Sequence, residues 1–200
     1  MGISLNKGQT ISLSKTTDKG LDKVFMGLGW DPVKKEEPGF LGKLMGKAAG
    51  GQEIDLDASV IMLDANKIPV DIVSFSQLHS KDGSVQHAGD NLTGEGEGDD
   101  EVIHVSLRGL PAKVNYLVFT VNSFSGQTFD EVENAFSRLV DENGNNELCR
   151  YTLAEQGPHN AVIMASLEKT QAEGWQMTAH GIASRGRTVN DIVPDAAAVL

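Results

Sequence analysis

The sequence predicts an all-β fold, a two-sheet β-sandwich with long acidic loops and at most short helices. Three observations carry that expectation. Most apolar segments are short, rich in β-branched or aromatic residues, and separated by Gly and polar punctuation. An Asn143-Gly144 step lies between two such segments, where a tight hairpin turn needs a positive φ. Within Trp175–Ile182, Trp175, Met177 and Ala179 alternate with Gln176, Thr178 and His180, the period of a strand with one buried face.

In chain order the predicted strands are Thr10–Ser14, Lys23–Trp30, Leu56–Asp64, Val70–Phe75, Val102–Leu107, Tyr116–Asn122, Arg138–Val140, Leu148–Leu153, Val162–Glu168 and Trp175–Ile182. About ten short strands call for two packed sheets. The strands flanking Asp141–Asn146 should pair antiparallel, and Lys169–Gly174 separates a second such pair. The one expected helix is Phe129–Phe136, with Thr128 as N-cap and acids in its first turn. Pro38–Gln52 carries five glycines and two lysines and reads as a mobile insertion spanning about residues 36–53, in preference to a helix that touches a membrane or partner. The 200 residues otherwise read as a single domain.

Composition narrows the function. With 17 Lys and Arg against 28 Asp and Glu, the net charge is -11, which repels nucleic-acid backbones and anionic lipid unless a cation intervenes. Direct nucleic-acid binding is not expected. The single cysteine, Cys149, cannot form an internal disulfide or a thiolate metal cage, as fits a reducing compartment. Neither a secretory core nor a stretch of about 18 apolar residues occurs, so a cytoplasmic, soluble chain is expected.

The most informative segment is His87–Glu101, HAGDNLTGEGEGDDE. From Asp90 onward it carries six carboxylates and no Lys or Arg, and its glycines let the backbone fold tightly. The residues alone leave two readings open, a solvated acidic loop or a site for a hard divalent cation. Calcium suits mixed carboxylate, amide and carbonyl oxygens, whereas zinc and copper prefer nitrogen or sulfur donors, which His87 alone does not supply. An EF-hand does not fit, because Leu92, Gly94 and Glu95 occupy positions 3, 5 and 6 of Asp90–Glu101. Asp55 and Asp57 alternate at the start of an apolar strand and can converge at one strand end. Asp31 ends another apolar strand, where a plain turn before Pro32 is the better explanation from the local sequence alone.

GLGWD at Gly27–Asp31, DLDAS at Asp55–Ser59 and the His87–Glu101 segment together resemble the TerD family of bacterial tellurite-resistance and stress-response proteins. The resemblance extends from the opening MGISLNKGQTISL to WQMTAHGIASRG and so covers nearly the whole chain. It implies a calcium-binding β-sandwich with no established enzymatic activity, and about two Ca2+ ions are expected. By motif position Asp90, Asn91, Glu95, Asp99, Asp100 and Glu101 would line the metal loop, joined by Asp55, Asp57 and Asp31, while Glu97 stands where the family more often has Asp. The implied partners are other proteins of a tellurite-resistance or stress complex, which would hold the chain peripherally at the inner membrane.

The alternative is an enzyme or nucleotide-binding component of such a stress system. Gly181–Thr188 approaches a phosphate loop, but Arg187 replaces the required Lys and no clear helix pattern follows. Gly27-Leu-Gly29 meets Pro32 where a dinucleotide fingerprint needs its third Gly. His104 and His180 read as hydrogen-bonded or surface strand residues, and Cys149 as a buried structural thiol.

Overall fold

The computed structural model describes residues 2–13, 21–33, 55–89, 98–154, 156–170 and 174–200. The insertion expected at residues 36–53 lies outside them, as do Asp90, Asn91 and Glu95. Among the described residues the strands are β1 (Ile3–Leu5), β2 (Thr10–Ser12), β3 (Lys23–Pro32), β4 (Asp57–Leu63), β5 (Pro69–Val73), β6 (Val85–His87), β7 (Glu101–Ser106), β8 (Tyr116–Asn122), β9 (Val132–Asp141), β10 (Asn146–Thr152), β11 (Ala161–Thr170) and β12 (Gly174–Ser184), followed by the helix α1 (Val189–Ala198). One sheet runs β1-β10-β9-β3-β7-β6 and the other β2-β12-β11-β8-β4-β5. All pairings are antiparallel except β1 with β10.

The predicted sandwich is therefore present, and its strands alternate as expected. Val24, Met26 and Leu28 of β3 meet Ala58, Val60 and Met62 of β4 in the core between the sheets, with Phe119 of β8 fully buried among them. Trp175, Met177 and Ala179 also point into that core. The opposite face of the second sheet carries Ile61, Leu63, Val118, Ala161 and Ile163, which α1 covers with Val189, Ile192 and Ala196. That second apolar layer explains why β4 is buried along its whole length.

Four expectations need correction. Phe129–Phe136 is not a helix: a single 3-10 turn, Phe129–Glu131, leads directly into β9. Its buried residues Val132 and Ala135 are three apart because Asn134, at φ 53°, interrupts the two-residue alternation and imitates a helical spacing. Thr128 precedes that turn but makes no side-chain capping bond. A helix does follow Gly186, with a capping box in which Thr188 and Asp191 satisfy each other's backbone groups. The β9–β10 hairpin forms as predicted, yet its left-handed residue is Asn145, at φ 50°, one position beyond the Asn143-Gly144 step.

Candidate metal centre at one end of the sandwich

Strand registers bring the acidic segments to one end of the molecule. Leu28 of β3 lies opposite Glu101 of β7, and Pro32 lies opposite Val132 of β9. In the other sheet Asp57 pairs with Asn122, Asn122 with Ala161, and Ala161 with Ser184. Asp31, Asp55, Asp57, Asp99, Asp100 and Glu101 therefore share this end, but their side chains go to different places.

Glu101 points between the sheets. Its Oε2 accepts the Ala58 N–H at 2.6 Å and lies 3.2 Å from His87 Nε2, with both side chains inaccessible to solvent. The Gly89 N–H donates to His87 Nδ1 at 3.2 Å, so Nδ1 is the acceptor and Nε2 carries the proton facing Glu101. Glu101 thus joins the first sheet to the start of β4 and fixes both ends of the acidic segment.

Asp99 crosses the outer face of the first sheet. Arg138 of β9 donates to it twice, from Nε to Oδ1 at 2.7 Å and from the second guanidinium nitrogen to Oδ2 at 2.7 Å. The bidentate pair holds the Arg138 guanidinium above its ordinary pKa, with the Asp99 hydrogen bonds as the leading cause. Arg138 also reaches Glu147 at 3.4 Å and lies 5.6 Å over the Phe25 ring. The two glycines of GLGWD make this crossing possible. A Cβ at Gly27 would stand 2.3–2.4 Å from the Asp99 carboxylate, and one at Gly29 would strike the Phe136 ring at 2.4 Å and the Gly98 carbonyl at 2.7 Å.

Asp100 turns towards the tip of β3. Its N–H donates to the Leu28 carbonyl at 2.8 Å, and its Oδ2 accepts the Trp30 N–H at 2.7 Å. Burial pushes its carboxyl above the ordinary range, and the charges of Asp31 and Asp99 add to that against the Trp30 hydrogen bond. Asp31 in turn accepts from Asn134 Nδ2 at 2.7 Å. Asp31 and Asp100 form one acidic corner.

Asp57, 4% exposed, heads a second corner with Asp55 on the outer face of the other sheet. Asn122, 1% exposed, stands directly opposite Asp57. Its Nδ2 donates to the Arg187 carbonyl at 3.1 Å, whereas its buried Oδ1 accepts no hydrogen bond. The donors gathered at this end are hard oxygens, the set that suits calcium. Among the described residues no group of three or more His, Cys, Asp or Glu side chains closes into a metal cage.

Arg138 and Asn122 were not singled out by sequence reasoning. The signal for Arg138 is faint, a cation on the strand that flanks a Gly-x-Gly strand, and its register opposite Gly27 is a tertiary fact. The phosphate-loop resemblance at Gly181–Thr188 has no matching geometry, because Gly181–Ser184 lies within β12 and the Asp191 carboxylate takes the N–H groups of Arg187 and Thr188. His104 meets Glu142 at 2.6 Å and His180 meets Ser166 at 2.8 Å, so both strand histidines are hydrogen-bonded.

The family model described as the TerD domain matches residues 1–194. The chain belongs to the TerD domain family. It is 52% identical to the tellurium resistance protein TerZ of Serratia marcescens over 193 residues, covering 96% of each chain. It is 40% identical to the stress response protein SCP2 of Bacillus subtilis (strain 168), covering 96% of this chain and 98% of that one. A solved Streptomyces coelicolor A3(2) homologue of the telluride resistance protein TerD superposes with a TM-score of 0.66 at 21% identity, over 87% of this chain and 96% of its own, and supports this TerD-family fold.

Proposed function

We propose that this TerD-family chain is a non-catalytic, calcium-dependent interaction module of a bacterial tellurite-resistance or stress-response system. The observation that carries the calcium reading is the orphaned Asn122 Oδ1, buried opposite the buried Asp57. A buried amide oxygen without a donor costs about 1–3 kcal/mol. A hard cation between Asp57 and Asn122 would satisfy the Asn122 oxygen and supply charge that water cannot. Asp55, Asp57 and Asn122 would hold one ion, and Asp31 and Asp100 a second, with Asp90, Asn91 and Glu95 expected as further ligands. Bound calcium supplies positive charge at an end otherwise dominated by carboxylates, and the surface there becomes able to meet an anionic partner. Arg138 and His87 hold Asp99 and Glu101 at the flanks of the acidic segment.

Support for the system comes from the names of the relatives, tellurium resistance in TerZ and stress response in SCP2. The test is thermal melting of metal-stripped protein in calcium, in magnesium and in chelator. Calcium at a hundredfold over its dissociation constant should add about 2.7 kcal/mol per site, and magnesium markedly less. Asp57→Asn and Asn122→Ala should each lose most of the gain of one site while keeping a β-type circular dichroism spectrum. A melt indifferent to calcium would contradict the proposal.

A further inference from the structure

We propose that the acidic end is a calcium-gated membrane-docking tip, at which Phe75 and Phe124 enter the interface of an anionic phospholipid bilayer and Arg187 meets its phosphates. The proposal rests on the calcium reading above and assigns the partner that the loaded end recognises.

Phe75 and Phe124 are 40% and 46% exposed, and their rings touch edge to face with centroids 6.2 Å apart. Single exposed apolar residues are ordinary on protein surfaces. These two differ because each sits in a Ser-Phe-Ser turn that is built to hold it out. Ser74, 3% exposed, closes the first turn through paired backbone bonds with Gln77 at 3.0 and 3.1 Å, and its hydroxyl receives the Ser76 N–H at 3.3 Å. Ser123, fully buried, closes the second: its hydroxyl accepts the Gly126 and Gln127 N–H groups at 3.0 Å each and donates to Gln127 Oε1 at 2.6 Å. These hydrogen bonds hold both turns closed and leave the rings partly in water.

The ring pair shares its framework with the candidate cation corner. Phe124 follows Asn122 by two residues, and β5 ends beside the Asp57 end of β4 because Val60 pairs with Val73. Arg187 ties the two together. Its carbonyl accepts from Asn122 at 3.1 Å, its guanidinium donates to the Phe124 carbonyl at 3.2 and 3.3 Å, and that guanidinium lies 5.4 Å over the Phe124 ring.

Size and charge choose the occupant. Two partly exposed Phe rings offer on the order of 200 Å² of apolar surface, far short of the ~800 Å² per partner that a stable protein interface buries. A bilayer interface accepts side chains singly, and its phosphates suit a guanidinium beside a calcium ion. Without the cation, the carboxylates of this end and the net charge of -11 oppose an anionic surface. With it, the cations offset much of the negative charge of this end while the rest of the molecule stays negative, and a cation can bridge to lipid phosphate, which makes docking conditional and orients it.

The test is co-sedimentation of the full chain with vesicles of phosphatidylglycerol and phosphatidylcholine, run alongside calcium-dependent melting of the same protein. The wild type should sediment in calcium, remain soluble in chelator, and ignore vesicles of phosphatidylcholine alone. The double variant Phe75→Ser/Phe124→Ser should keep the calcium-dependent rise in melting temperature and bind vesicles roughly tenfold more weakly. In Phe124→Trp, emission should shift to the blue on vesicle binding and be quenched by brominated lipid. A calcium-stabilised wild type that stays in the supernatant would overturn the membrane proposal and leave the calcium reading standing. A double variant that sediments like the wild type would overturn the role of the rings and reduce the effect to calcium bridging between acidic surfaces. Equal sedimentation in chelator would overturn the gate. Absence of both calcium stabilisation and vesicle binding would remove the calcium reading and this proposal with it.

Discussion

At the scale of single residues, Asp99 gives both carboxylate oxygens to Arg138, whereas Asp100, next along the chain, is pushed above the ordinary carboxylate range by burial and by the charges of Asp31 and Asp99. The same substitution should therefore act in opposite directions at these neighbours. In chelator, Asp99→Asn should lower unfolding free energy by roughly 1–2 kcal/mol, since it leaves a largely buried guanidinium half-satisfied. Asp100→Asn should raise it, and urea denaturation measures both. The pH dependence follows the same logic. A carboxyl with a raised folded pKa binds its proton more tightly when folded, so its favourable contribution is full below the unfolded value and is lost as pH rises through the folded one. The window opens near 3.8 and extends upward, and Asp100→Asn should remove this component from the acid side of the stability profile. Cys149 gives a second check. It is buried and donates to Met177 Sδ at 3.2 Å, and its thiol is pushed up to about 12, chiefly by burial. A thiol-reactive dye at pH 8 should leave the folded protein unlabelled and label it in denaturant. Rapid labelling of the folded chain would contradict this packing.

At the scale of elements, most longer strands were legible where one face is buried, because side chains alternate there and punctuation bounds them, whereas the three-residue strands Ile3–Leu5 and Val85–His87 are too short to show a period and were not expected. Tyr116–Asn122 is reproduced residue for residue. The start of β9 was not legible, because the left-handed Asn134 slips the alternation and Phe129, Val132 and Ala135 fall at helical intervals. Helix α1 hid for a different reason, since Pro194 lies inside it. Its signals were the Thr188/Asp191 capping box and apolar residues at Val189, Ile192, Val193, Ala196 and Ala197, the spacing of one helical face. Ile192 is fully buried against the outer face of the second sheet, so Ile192→Ala should cost about 2–4 kcal/mol. Asp191 adds a pH term of the opposite sign from Asp100. Backbone and side-chain hydrogen bonds from Thr188 hold its pKa below 3.8, so its contribution is present above the unfolded value and is lost as pH falls through the folded one. Loss of α1 helicity on acidification, ahead of strand signal, is the expected circular dichroism result. Asp191→Ala should produce the same early fraying at neutral pH.

At the scale of the whole molecule, the identity of the acidic segments was legible in the sequence, and their division of labour was not. Alternation placed Asp55 and Asp57 at one strand end, and the Gly-acid run marked the loop. Only the register of the two sheets shows Glu101 drawn inward to Ala58 and His87, Asp99 drawn outward over Gly27 to Arg138, and Asn122 set opposite Asp57. The sandwich thus fixes both flanks of the acidic segment with its own donors and keeps Asp31 and Asp100 at one corner and Asp55, Asp57 and Asn122 at another. Calcium at those corners is the central claim, and calorimetric titration of metal-stripped protein tests it most directly. The expected result is saturable heat with about two sites of micromolar affinity or tighter, weak heat with magnesium, and loss of one site in Asn122→Ala. No binding heat at millimolar calcium would contradict it.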